Sequence, residues 1–152
     1  YSVTTEDRFC RIEGIDGPDI DTHLFRLGTG VEWEPTDMDR AAERIYTLER
    51  ALCVRHWGRD RQMDERVLPA FEYPENWQNP LLEGKRRLDR ALFRPVMDDY
   101  YRYLGWDVAT GWPTPQRLQA LGLGDVYAPM IAGAERARRA LPPLPPPEPI
   151  EA

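Results

Sequence analysis

Few residues in this sequence combine the type and the spacing that chemistry needs. Cysteine occurs twice, at Cys10 and Cys53, and histidine twice, at His23 and His56. No Cys-x-x-Cys, His-x-x-x-His, glycine-rich phosphate loop or Gly-x-Ser-x-Gly elbow accompanies them. A self-sufficient enzyme normally carries one such cluster, so the residues alone read as a helical accessory domain with no catalytic residue of its own. Cys10 stands in a polar segment ahead of the first helix, where a thiolate can project toward a partner or an iron–sulfur cluster. A lone cysteine is more often a small buried hydrophobe, and such a cluster takes several thiolates. Cys53 borders an apolar helical stripe and is expected in the core. His56-Trp57 offers a proton carrier, but spacing fixes no carboxylate beside it.

The charged pairs Glu43/Arg44 and Glu49/Arg50 read as a solvated helix face, or as a surface that docks the helix on another domain. Tyr100, Tyr101, Tyr103, Trp106 and Trp112 are concentrated in one stretch. They can stack a ligand, yet the glycines among them favour packing of short helices.

The elements that position these residues are short helices. Fifteen prolines and eleven glycines punctuate the chain. Residues 1–17 are polar and irregular, with Val3, Phe9 and Ile12 as buried anchors. A helix over Asp19–Leu27 follows Pro18 and stops at Gly28 and Gly30. Thr36 is expected to cap a longer helix ending at Gly58. Its apolar residues at 38, 41, 42, 45, 48, 52 and 54 form one stripe. Residues 59–80 read as an irregular connector packed on a surface. A second helix is predicted over about 83–104, its face set by Leu88, Leu92, Val96, Tyr100 and Leu104 and widened by Phe93 and Met97. Pro95 should kink or divide it, and Gly105 end it. Thr114 caps a helix Pro115–Leu121 that stops at Gly122. Residues 129–141 can form a last helix before a polyproline tail. No strand pair or internal repeat is evident, and the fold class is all-α: a loop-rich, short-helix domain. The segments divide as 1–17, a helical domain over 18–141, and a proline-rich tail over 142–152.

The 152 residues suit one domain with a modest core. Net charge is −6, and the arginines are interleaved with acids, which argues against nucleic acid. No apolar run is long enough to span a bilayer, and no signal-peptide pattern opens the chain. Two cysteines cannot build a disulfide framework, so a reducing compartment, the cytoplasm, is the expectation. Residue 1 is a tyrosine, which leads us to expect a piece of a longer protein.

Two stretches then point to a family. The first is Ala42-Glu43-Arg44-Ile45-Tyr46-Thr47-Leu48-Glu49-Arg50, with Val54-Arg55, Asp64-Glu65 and Leu68-Pro69 after it. The second runs Asp99-Tyr100-Tyr101, Gly105-Trp106-Asp107, Gly111, Pro113-Thr114, Leu118 and Leu121-Gly122-Leu123. In order and rough spacing they resemble the C-terminal domain of the aldehyde:ferredoxin oxidoreductase family, from about residue 10 to 127. Leu27-Gly28-Thr29-Gly30 resembles the Thr-Gly that precedes the family's Glu-Arg helix.

The resemblance implies a tungsten or molybdenum ion between two pterins, one [4Fe-4S] cluster, oxidation of aldehydes to carboxylates, and electron delivery to ferredoxin or an iron–sulfur subunit. It implies that Cys10 is the cluster's fourth thiolate, and hence the one cofactor-binding and metal-ligating residue in the chain. Proton-transfer residues beside the metal would lie upstream of Tyr1. The remainder of the same enzyme and an oligomeric assembly are the implied partners. The sequence departs from the family pattern at Thr5, Arg8 and Phe9 before Cys10, and at Cys53, His56 and Trp57 after the helix. A related branch, the catalytic subunit of benzoyl-CoA reductases, is one alternative. A helical interaction module without cofactors is the other, since a fold is not a function.

Overall fold

The computed structural model describes residues 20–66 and 90–140, and every element in them is helical. The order is α1 (Ile20–Thr29), α2 (Pro35–Trp57), α3 (Arg61–Arg66), α4 (Arg90–Leu104), α5 (Pro115–Ala120), a 3-10 turn (Gly124–Val126) and α6 (Tyr127–Ala140). Among the described residues there is no strand, only an isolated bridge between Trp106 and Pro113. The fold is all-α, as the sequence indicates. No helix among the described residues is long and apolar enough to cross a membrane.

The chain divides within α2 into two compact units, Tyr1–Tyr46 and Thr47–Ala152. In the first, Phe25 of α1 stacks on Trp33 at 4.6 Å between ring centroids. Arg26 donates to the Trp33 carbonyl and to Glu34 Oε1, fixing the turn that leads into α2. Helix α1 continues through Gly28 to Thr29, beyond the predicted stop at Leu27. Gly30, at φ +71°, makes the break instead.

Helix α2 begins one residue before Thr36. The Glu34 carbonyl accepts from the N–H groups of Asp37 and Met38, while Asp37 Oδ2 accepts from the Glu34 N–H at 2.9 Å. Thr36 therefore lies inside the first turn and is not the cap, because Pro35 is pre-set for the first helical position. At the other end Gly58, at φ +62°, donates to the Val54 carbonyl and closes the helix.

In the second unit the buried residues of α2 are Thr47, Arg50, Ala51 and Val54. The predicted stripe is thus corrected: Ile45 is 60% and Leu52 42% exposed. Ala51 and Val54 join Leu118, Leu121, Leu123, Met130 and Ala134 in one core, bringing together α2, α5 and α6. Helix α6 comes close at Gly133, where an added Cβ would meet the Arg55 carbonyl oxygen at 2.5 Å. A second core gathers Met97, Tyr101, Leu104 and Trp106. Of the predicted face of α4, Met97 and Leu104 are buried and Phe93 packs against them, whereas Val96 and Tyr100 remain substantially exposed and Tyr101 is buried instead. Pro95 lies inside α4 and does not divide it. The part of the predicted second helix before Arg90 lies outside the described residues.

The predicted connector after Gly58 contains α3, a helix of six residues opened by Asp60, whose Oδ1 accepts from the Met63 N–H. Helix α5 has the predicted punctuation: the Thr114 hydroxyl accepts from Arg117 N–H, Pro115 is in the first turn, and Gly122 follows at φ +67°. It ends at Ala120 with Leu121 as its cap. The last helix begins at Tyr127, directly after the 3-10 turn and two residues before the predicted start. The segments 1–17 and 142–152 lie outside the described residues.

Candidate functional site

The densest assembly of charged side chains is built on a loop, residues 105–114, that would not hold its shape alone. Asp107 ties the loop to itself: its Oδ1 accepts from Thr110 N–H at 2.8 Å and from the Thr110 hydroxyl at 2.6 Å. The Asp107 N–H donates to the Trp112 carbonyl, and Gly111 N–H to the Asp107 carbonyl. Thr114 donates its hydroxyl to the Gly105 carbonyl at 2.8 Å while also capping α5. These bonds satisfy backbone groups that no regular element would satisfy.

Three arginines then grip the loop, from α2, from α3 and from the turn between them. Arg50 Nε donates to the Gly111 carbonyl at 2.9 Å. Arg61 donates its N–H to the Thr110 carbonyl and a guanidinium N–H to the Val108 carbonyl. The Arg59 carbonyl accepts from Trp112 Nε1 at 2.9 Å. Gly111 sits at φ +70° beneath Arg50 and Tyr101, where an added Cβ would stand 2.7 Å from an Arg50 nitrogen and 2.9 Å from Tyr101 Cζ. Only glycine fits that position.

Behind the loop the charges are neutralised locally. Arg50 makes a two-pronged ion pair with Asp64, at 3.0 and 2.5 Å. Their side chains are 7% and 10% exposed. Asp64 also accepts from Arg59 Nε at 2.8 Å and from the Tyr101 hydroxyl at 2.6 Å. Burial pushes the Asp64 carboxyl up, but the bonds from Arg50, Tyr101 and Arg59 outweigh it and hold it below the usual carboxylate range. Burial, and then the bond to the Asp64 carboxylate, push the Tyr101 phenol far above its ordinary value. The Arg50 guanidinium lies over the Trp106 ring at 5.2 Å. Arg61 pairs with Glu65 and Asp98.

This arrangement holds the fold together and does not move protons near neutral pH. The carboxylate is saturated by donors, and the phenol keeps its proton. It therefore acts as a clamp between α2, α3, α4 and the loop. Sequence reasoning gives Arg50 a solvated face or a surface that docks on another domain, and the structure buries it within the second unit. Its partner lies 14 residues away, beyond the reach of helical periodicity.

The other residues singled out in the sequence are dispersed. His23 is exposed on α1 and His56 on the last turn of α2. Cys53 is a free thiol, half-buried and close to the Arg59 guanidinium, so it is not the core residue expected. Of the aromatic group, Tyr101 and Trp106 are core residues and Trp112 borders the other core, whereas Tyr103 is 82% exposed. Cys10 lies outside the described residues. Among the described residues no group of three or more His, Cys, Asp or Glu side chains is placed to hold a metal ion. These residues alone therefore do not form a metal or cluster site.

Seven of the residues that carry the family resemblance belong to the clamp or its loop: Arg50, Asp64, Tyr101, Trp106, Asp107, Gly111 and Thr114; others, Val54, Leu118, Leu121 and Leu123, lie in or against the other core. The comparison with families agrees. The family model described as aldehyde ferredoxin oxidoreductase, domains 2 & 3, matches residues 6–123, most of the chain. No solved structure matches.

Proposed function

The chain belongs to the aldehyde ferredoxin oxidoreductase family, and from that premise we propose that it is the C-terminal part of a tungsten- or molybdenum-pterin, iron–sulfur oxidoreductase. In this reading the whole enzyme, in the cytoplasm, oxidises an aldehyde to a carboxylate and passes two electrons to ferredoxin or an iron–sulfur subunit. When bound, the metal–pterin and the cluster supply that redox chemistry. The observation that carries the reading is the family match over residues 6–123, three of whose motif residues, Arg50, Asp64 and Tyr101, meet in one buried clamp.

Within that enzyme the chain has two tasks. Cys10, which falls in the matched region, offers one thiolate to the cluster. A [4Fe-4S] cluster held by cysteines needs four, so the others come from outside this sequence segment. The clamp fixes α2 to α3, α4 and the loop 105–114, giving a rigid helical body that braces the cofactor cavity without entering the reaction.

Iron and tungsten or molybdenum content, with a visible absorption spectrum, tests the proposal on the natively purified protein that contains this chain. The expected result is iron together with one of the two heavy metals, and loss of the cluster band in Cys10→Ser. A colourless, metal-free protein from an anaerobic preparation would overturn it.

A further inference from the structure

A cleft of about 410 Å³ lies between the last turn of α2 and α6. Its floor is a line of small residues along α6, including Pro129, Gly133, Ala137 and Ala140. Eleven residues of helix make that line about 16 Å long. Gly133 is what allows it: α6 lies so close to α2 there that a Cβ would collide with Arg55 Cγ and its carbonyl oxygen, both at 2.5 Å. The close approach sets Arg55 and His56 of α2 beside Arg136 of α6 at the cleft.

All three of these side chains are exposed, and among the described residues no acidic side chain lines the cleft. Other arginines of the second unit are neutralised: Arg50, Arg59, Arg61 and Arg138 each hold an aspartate. No carboxylate among the described residues pairs with Arg55 or Arg136. In a chain of net charge −6 this is a local reversal of sign, and it invites an anionic partner. The length of the floor matches about five extended residues, more than a single inorganic anion fills. We propose that the cleft is a docking groove for an extended acidic segment of another polypeptide, its carboxylates held by Arg55 and Arg136 and its backbone laid along the small-residue floor.

Fluorescence polarisation of a labelled Glu-rich peptide of about eight residues tests this on the intact protein at low salt, with a Lys-rich peptide as control. Binding should weaken by about tenfold or more in Arg55→Glu/Arg136→Glu, and should weaken as salt rises. Arg139→Glu, which changes the same charge on α6 outside the cleft, should leave it unchanged. Circular dichroism melts establish that the variants keep the fold. An equal loss in Arg139→Glu would reduce the effect to diffuse attraction and overturn the proposal. Displacement of the peptide by inorganic phosphate at equal concentration would make the cleft a simple anion site and would overturn it as well. So would binding that emerges only when residues 141–152 are deleted, since the occupant would then be the chain's own tail.

Discussion

The Tyr101 hydroxyl donates to Asp64 Oδ2 at 2.6 Å, although 37 residues separate the two in sequence. The same carboxylate holds Arg50 and Arg59, so one side chain joins α2, α3 and α4. Its value lies in saturation. Breaking a buried ion pair on one side is strongly destabilising, by about 3–5 kcal/mol, because the remaining charge is left without compensation. Asp64→Asn should therefore cost several times more than removal of a typical surface charge. Tyr101→Phe removes one of the donors and should cost about 1–3 kcal/mol. Urea unfolding followed by tryptophan fluorescence distinguishes the two. Equal, small losses would mean that the clamp contributes little.

Gly111 and Gly122 offer a controlled comparison. Both have positive φ, +70° and +67°, so alanine brings similar backbone strain at each, on the order of 1–2 kcal/mol. The surroundings differ: a Cβ at Gly122 meets nothing within 4 Å, while one at Gly111 stands 2.7 Å from Arg50 and 2.9 Å from Tyr101. Gly111→Ala should therefore be clearly the more destabilising, because it also displaces the Arg50 bond to the loop. Indistinguishable melting temperatures would refute the close approach.

How much of this was legible in the sequence depended on how far each residue's partner lies along the chain. Thr114, Pro115 and Gly122 act within a few residues of themselves, and their helix was read correctly from type and spacing alone. Helix α3 was missed because six residues carry no period, although Asp60, which accepts from the N–H three residues on, was a visible start signal. The faces of α2 and α4 are legible only in part, for a different reason. The rule that charges face water failed at Arg50, whose burial is balanced by Asp64 and Tyr101, and the apolar Ile45 and Leu52 are left substantially exposed. Resemblance succeeded where periodicity did not. Several of its motif residues, Arg50, Asp64, Tyr101 and Gly111, meet across separations that no local pattern encodes.

Thr114 serves two elements with one hydroxyl, accepting from Arg117 N–H at 3.2 Å and donating to the Gly105 carbonyl at 2.8 Å. Thr114→Ala should cost more than the ~1 kcal/mol of an ordinary cap, because the Gly105 carbonyl loses the shorter of its two hydrogen bonds at the same time and keeps only the Thr114 N–H at 3.4 Å. Thr114→Ser keeps the hydroxyl and should recover most of the loss. If serine fails to do so, the methyl group and not the hydroxyl is what matters, and the double role is wrong.

The clamp should also write itself into the pH dependence of stability. Asp64 is held below its ordinary 3.8 in the folded protein by Arg50, Tyr101 and Arg59, against the upward push of burial. A depressed carboxyl stabilises the fold above its unfolded-state value, and the contribution is lost as pH falls through the folded one. The stability gap between the natural protein and Asp64→Asn should thus be constant near neutrality and shrink on acidification, between about pH 5 and pH 1. Tyr101 runs the other way. Its phenol is raised above 10.0 by burial and by the Asp64 carboxylate, so its contribution is complete below 10.0 and is lost as alkali ionises the unfolded chain first. The gap to Tyr101→Phe should therefore shrink on the alkaline side. Urea midpoints across both limbs read the two trends separately. A gap to Asp64→Asn that stays flat into strong acid would show that Arg50 holds a carboxylate no more tightly in the folded protein than water does.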